Sequence, residues 1–290
     1  MIQAFRPWGS WPDWQELLRL HRPVGYWLLL WPTLWGLFAA SHGHPDIRNL
    51  SVFVAGVILM RSTGCVINDY ADRRFDQHVA RTRTRPIAAG RISPAAALFG
   101  FFFMLLTALL LVLQTSLLVV QLAFIGVALA AIYPFLKRVT NFPQAWLGLA
   151  FGWGTIMAWA AETGNISDSP VPWLLFLANI FWSLSYDTAY AIGDRMDDQQ
   201  IGVKSTALWF GKHTIAAIFL FGLLMLASLA LASLIYGGFA WLGWMLCASW
   251  QAWLFLNLFR QKEAWSFQFF LLSHWSGALM CIGFLVPAIN

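Results

Sequence analysis

The sequence predicts an all-α, polytopic membrane protein of nine transmembrane helices, and three observations carry that prediction. First, 59% of the 290 residues are hydrophobic and 11% charged, with a mean hydropathy of +0.64, too little polarity to cover a soluble fold. Second, apolar residues gather in runs near the roughly 20 residues that a helix needs to cross a hydrocarbon core of about 30 Å. Third, the basic residues sort by connection, as a chain threaded back and forth through a membrane requires.

The runs fall at 24–40, 50–67, 95–113, 117–135, 143–161, 172–190, 213–235, 238–259 and 266–287. Ahead of them, residues 1–22 are too polar for a cleavable signal peptide. Within that segment SWPDWQELLRLHR, residues 10–22, reads as an amphipathic helix lying on the membrane surface. Ser10 with Asp13 resembles a helix cap, and Trp8, Trp11 and Trp14 suit the headgroup level. Arg6, Arg19 and Arg22 occupy the N-terminal arm, and Arg73, Arg74, Arg81, Arg83, Arg85 and Arg91 the second connection. Lys137 and Arg138 lie in the fourth, Arg195, Lys204 and Lys212 in the sixth, and Arg260 and Lys262 in the eighth. The opposite connections hold only Arg48, which predicts a cytoplasmic N-terminus and puts Asn290 on the far side. Because the cations sort in this way, the net charge of +5 and pI near 9.4 do not signal nucleic-acid binding. Cys65, Cys247 and Cys281 are odd in number and sit in apolar stretches, so no disulfide framework follows.

Two cytoplasmic connections, near 69–94 and 191–212, are long and share a register: Asn68-x3-Asp72-x3-Asp76 in the first and Tyr190-x3-Asp194-x3-Asp198 in the second. This suggests two related four-helix halves and a final helix. On a helix, residues four apart lie along one slowly drifting stripe, about 6 Å apart in rise. Asn68, Asp72 and Asp76 would share such a stripe, with Asp69 able to join them. Asp194 and Asp198 repeat it, with Asp197 alongside and Asp187 upstream. Like charges at this spacing repel, which points to a bound cation. Oxygen donors with no His or Cys nearby favour a hard ion, and magnesium characteristically takes one or two carboxylates, phosphate and water. Arg73, Arg81, Arg85 and Lys204 would complement diphosphate oxygens. A solvated, topology-setting loop is the simpler account of either segment alone. The shared register in a chain with only 13 acidic residues argues against it.

Arg61 lies seven residues before Asn68, two turns deeper on the same face. A cation there costs about 2.5–3.5 kcal/mol to insert, so it should face a cavity or a partner. It reads either as an anchor for a small anionic substrate or as an ion-pair partner of an aspartate. His42 and His44 on a far-side loop read as solvated, and His78, close after Asp76, reads as a loop histidine. Gly126, Gly148, Gly152 and Gly154 read as sites of close helix packing.

The runs GCVINDYADRRFDQHVARTRTRP and YDTAYAIGDRMDDQQIGVKSTA resemble the UbiA superfamily of intramembrane prenyltransferases, especially its hydroxybenzoate branch in ubiquinone biosynthesis. The paired signatures NxxxDxxxD and DxxxD stand at Asn68, Asp72, Asp76, Asp194 and Asp198, and similarity extends through YPFLKR at 133–138. The resemblance implies one domain over 1–290, its nine helices enclosing a central cavity open sideways to lipid in a bacterial inner membrane. It implies Mg2+ ions joining Asn68, Asp72, Asp76, Asp194 and Asp198 to a polyprenyl diphosphate. Arg61 falls near the aromatic acid, 4-hydroxybenzoate, and Lys137 or Arg138 contacts the diphosphate. Charge then suggests the mechanism: metal ions stabilise the leaving diphosphate, and an apolar cavity shields the allylic cation until the ring attacks ortho to its hydroxyl. Asp194 or Asp187 would take the ring proton. Two other readings remain: a superfamily member using homogentisate, a dihydroxynaphthoate, haem or a chlorin, and a transporter binding divalent cations. A carrier should place its ligands near the midplane, whereas these aspartates cluster at one face.

Overall fold

The computed structural model describes residues 7–78 and 82–286, and of Pro134, Phe135, Lys137, Arg138, Asp197 and Ile201 only the backbone. Among the described residues all regular structure is helical: α1 (Trp11–Leu17), α2 (Val24–Ala40), α3 (Ile47–Asp76), α4 (Pro94–Val112), α5 (Leu117–Val139), α6 (Pro143–Thr163), α7 (Val171–Ile201), α8 (Thr206–Phe210), α9 (Thr214–Tyr236), α10 (Ala240–Gln261) and α11 (Ser266–Leu285). Short 3-10 turns stand at Gly211–His213 and Lys262–Trp265. A helix satisfies its own backbone polar groups, which a lipid environment demands. Four stretches are long and apolar enough to cross a membrane: Ile47–Asp76, Pro94–Val112, Thr206–Tyr236 and Ala240–Leu285. Val24–Ala40 and Leu117–Tyr133 are shorter apolar helices. The chain is a multi-pass membrane protein.

The helices carrying the aspartates run farther than the sequence predicts. The second expected helix ends at 67 and the sixth at 190, yet α3 continues to Asp76 and α7 to Ile201. Hydropathy falls where charge begins, but the backbone ladder continues until something interrupts it. For α7 the stop is Gly202 in the left-handed region (φ 72°), whose N–H donates to the Asp198 carbonyl. The acidic residues assigned to connections therefore sit on final helical turns.

By its contacts the chain divides into two compact units. The first comprises Met1–Tyr26 and Val54–Gln114, and the second Trp27–Phe53 and Thr115–Asn290.

In the first unit, the expected cap of α1 forms. The Ser10 N–H and hydroxyl donate to Asp13 Oδ2 at 2.8 and 2.6 Å. The Ser10 hydroxyl is the main reason the Asp13 carboxyl is held below its ordinary range, with Arg91 adding to the effect. Arg91 ties α1 to the turn before α4, reaching Asp13 Oδ1 and Glu16 Oε2 at 2.6 Å each. Ser93 caps α4, its hydroxyl accepting from the Ala96 N–H at 3.2 Å. Leu17, Val66, Ile87, Ile92, Ala96 and Ala97 form the core beneath α1. Trp8 and Trp11 are exposed, as interfacial residues would be.

In the second unit, α7 packs against α6, α9 and α11, and α10 against α9 and α11. The α6–α7 approach depends on missing side chains. A Cβ on Gly148 would stand 2.7 Å from Ile180 Cα, and one on Gly152 2.8 Å from Asn179 Nδ2. Asn179, fully buried, donates to the Gly148 carbonyl at 2.9 Å. Gly154 faces Thr33, and a Cβ on Gly126 would stand 3.1 Å from Trp153 Cδ1, so all four glycines stand where a neighbour presses close. The three cysteines are free and buried.

Gly148→Val should lower stability by about 1–3 kcal/mol through overpacking. A Cβ on Gly56, also helical, would meet nothing within 4 Å. Gly56→Ala should therefore raise stability by roughly 0.5–1 kcal/mol. Thermal unfolding in detergent, with both variants beside the parent, checks the pair.

Candidate functional site

In the first unit the site builds from the last turns of α3. Seven residues turn a helix almost twice, about 20° short, so residues seven apart share a face with an axial offset near 10 Å. Arg61 and Asn68 are one such pair, and Asp69 and Asp76 another. Asp69 is 3% exposed, a burial that an ionised carboxylate tolerates only with cations in contact. Arg19 Nη2 donates to both Asp69 oxygens at 2.9 Å, while Arg85 Nη1 lies 3.1 Å from Asp69 Oδ1 and 2.9 Å from Asp76 Oδ2. Arg19 holds this position from a left-handed backbone conformation (φ 60°) past the end of α1, braced by its own Nη1 on the Glu16 carbonyl at 2.9 Å. A single arginine thus bridges Asp69 and Asp76. Asp69 and Asp76 belong to one ion-pair network on one face of α3. Asn68 is half-buried and Asp72 exposed.

The connection after α3 is held close to it. Thr82 Oγ1 donates to the Asp76 carbonyl at 3.2 Å and Gln77 Nε2 to the Ala88 carbonyl at 3.2 Å. Arg73 stacks its guanidinium 4.1 Å from the Tyr70 ring centroid and donates to the Tyr70 carbonyl. His78 Nδ1 sits 2.9 Å from the Arg74 carbonyl, in keeping with a loop histidine. Arg81 lies outside the described residues.

In the second unit a cavity of about 130 Å³ opens against α7. Asp187, Asp194 and Asp198 line it together with Tyr190, Tyr133, Gln144, Lys204 and Ser205. The spacings of seven and four keep all three carboxylates within about 40° of helix azimuth. Buried polar contacts lie beside the lining residues: Thr188 and Thr206 hydroxyls meet at 2.6 Å, and the Thr206 N–H donates to Gln144 Oε1 at 3.4 Å. Lys204 Nζ donates to the Val139 carbonyl at 3.2 Å, which brings the lysine to the rim. Arg195 pairs with Glu263 at 2.8 Å. The Lys137, Arg138 and Asp197 side chains lie outside the described residues.

The donors lining this cavity suit a hard divalent cation, since Asp187, Asp194, Asp198, Gln144 and the tyrosines offer only oxygen or amide groups. Among the described residues no three acidic, His or Cys side chains gather closely enough to hold an ion by themselves. Sequence reasoning missed Arg19, Gln144, Tyr133 and Ser205. The first lies 50 residues from Asp69, and the others carry no charge and no spacing that would mark them.

Comparison with known proteins supplies the lineage. The model of the UbiA prenyltransferase family matches residues 29–276. A 4-hydroxybenzoate octaprenyltransferase of Alkalilimnicola ehrlichii is 50% identical over 280 residues, covering 94% of each chain. One of Pseudomonas aeruginosa is 47% identical over 276 residues, covering 93% of this chain and 92% of the relative. Among solved structures, a UbiA homolog from Aeropyrum pernix K1 superposes with a TM-score of 0.78 at 22% identity, over 89% of this chain and 96% of that one. A UbiA homolog from Archaeoglobus fulgidus bound to GPP and Mg2+ gives 0.68 at 16% identity, over 94% and 100%. The fold is theirs, and the chain belongs to the UbiA prenyltransferase family.

Proposed function

We propose that this protein transfers a polyprenyl group from polyprenyl diphosphate to the ring of 4-hydroxybenzoate, ortho to the hydroxyl, releasing diphosphate in ubiquinone biosynthesis. The observation that carries the reading is the 46–50% identity to 4-hydroxybenzoate octaprenyltransferases over more than nine-tenths of the chain. That name supports a long polyprenyl donor. The reading takes the chain as one functional domain of nine membrane crossings around a central cavity. It sits in a bacterial inner membrane with the aspartate-bearing helix ends toward the cytoplasm, as the sorting of basic residues supports.

In this reading Asn68, Asp72, Asp76, Asp194 and Asp198 would hold Mg2+ at the site of the diphosphate. Asp76 can serve while bonded to Arg85, because a carboxylate offers about four acceptor positions. Bound magnesium supplies Lewis-acid stabilisation of the negative charge that grows on the departing group. Lys204, with Lys137 and Arg138, neutralises diphosphate oxygens. Arg61 grips the acceptor's carboxylate with its forked guanidinium, fixing the ring with its hydroxyl para to the held carboxylate. The allylic C–O bond breaks, the ring carbon ortho to the hydroxyl forms the new C–C bond, and that carbon loses its proton. Asp187, almost two helical turns before Asp194 along the same cavity, accepts it. Apolar helices keep water from the allylic cation meanwhile.

Radiolabelled 4-hydroxybenzoate supplied with a polyprenyl diphosphate and magnesium should yield a prenylated acid, and removing magnesium with EDTA should abolish it. Asp72→Ala or Asp194→Ala should cut turnover by about 100-fold or more with the melting temperature unchanged. Normal product from either variant would remove these aspartates from the diphosphate site. Arg61→Ala should raise the acceptor KM roughly tenfold or more while sparing the donor KM. Asp69→Asn should act mainly on folding, lowering stability by roughly 1–3 kcal/mol in thermal melts.

A further inference from the structure

We propose that Gly25 is the positioning residue for Arg61, a seat against which one edge of the guanidinium rests while the rest of the group presents its donors to the acceptor's carboxylate. The inference rests on the assignment of Arg61 to the acceptor and concerns how that arginine is aimed.

Gly25 is buried near the start of α2, and the Arg61 side chain covers it. A Cβ built on Gly25 would stand 2.5 Å from Arg61 Nη2, 2.7 Å from Nε and 2.8 Å from Cζ. Both nitrogens stand nearer than Cζ, so the Nε–Nη2 edge of the planar group leans obliquely on the glycine. Any other residue would occupy that space with its first side-chain carbon.

The neighbouring pair keeps the two backbones from drifting apart. The Tyr26 hydroxyl donates to the Leu18 carbonyl at 2.6 Å and lies 2.9 Å from the Ser62 hydroxyl, itself buried. Residues 25 and 61 therefore face each other beside a hydrogen-bonded pair at 26 and 62. With the backbones so tied, an added methyl is accommodated by the flexible arginine, whose head group must swing aside. A guanidinium recognises a carboxylate through two parallel in-plane bonds, so tilting or shifting its plane by about 1 Å breaks the match. Gly25 thus keeps the fork in one orientation before substrate arrives, lessening the ordering that binding requires.

The test is a double-mutant cycle on the full-length protein in detergent or nanodiscs: Gly25→Ala, Arg61→Ala and the double variant, with the acceptor KM, donor KM, kcat and melting temperature measured for each. Gly25→Ala should raise the acceptor KM about tenfold while leaving the donor KM and melting temperature at parental values. Added to Arg61→Ala, it should change the acceptor KM no further, because the group it displaces is gone. If Arg61→Ala raises the acceptor KM but Gly25→Ala does not, or if the two effects multiply, the seat is overturned and the function stands. A Gly25→Ala protein with equal rises in both KM values and a lowered melting temperature overturns it in favour of general packing. An Arg61→Ala protein with an unaltered acceptor KM overturns both the seat and the acceptor assignment beneath it.

Discussion

A carboxylate at the end of an apolar helix has to be neutralised where it stands, because neither the lipid nor the packed core will solvate it. Much of the first unit is arranged around that requirement. Asp69 is almost wholly enclosed, and Arg19 and Arg85 come to it from opposite directions along the chain, one from the N-terminal arm and one from the connection after α3. Removing one partner of such a buried arrangement is costly, so the acid also organises two segments with no helix of their own at that point. The arm and the connection are further joined by Arg91, which holds Asp13 and Glu16. Electrostatics at the helix end thus determines the path of the chain on either side of it.

The second unit meets a different demand, precise placement of several acids on one helix. α7 lies among α6, α9 and α11, and glycines at 148 and 152 let α6 approach its backbone closely. Close packing removes freedom from α7, and with it from Asp187, Asp194 and Asp198. Val203, Lys204 and Ser205 then line the cavity from the segment immediately after the helix, which the Thr188–Thr206 hydroxyl contact ties back to α7. Rigid helices bearing short acidic side chains are a sound way to hold oxygen ligands in fixed positions, since Asp has few rotatable bonds to order.

Much of this was legible in the sequence, and what was missed has physical reasons. The cap at Ser10 and Asp13 is local chemistry and could be read from three residues' spacing. The packing role of Gly148 and Gly152 followed from small residues in an apolar run. Helix ends were misjudged because hydropathy reports where lipid contact stops, whereas the ladder at α3 and α7 ends only when backbone geometry changes. Gly202 was the available signal for α7; α3 has no glycine or proline at its end. The Asp69–Arg19 bond joins residues 50 apart and left no periodic trace. Gly25 opens an apolar run in which nothing marks its contact with Arg61.

The unbroken course of α3 through its acidic turns has a further consequence. Arg61 and Asn68 are spaced by a hydrogen-bonded rod, about 10 Å along its axis, that neither stretches nor bends appreciably. In a catalyst that reads one end of a small acid at the first position and anchors a leaving group near the second, that rod is a gauge. Aromatic acids with an extra methylene between ring and carboxylate would present their nucleophilic carbon out of register, so selectivity by length would be built into the spine of the helix itself.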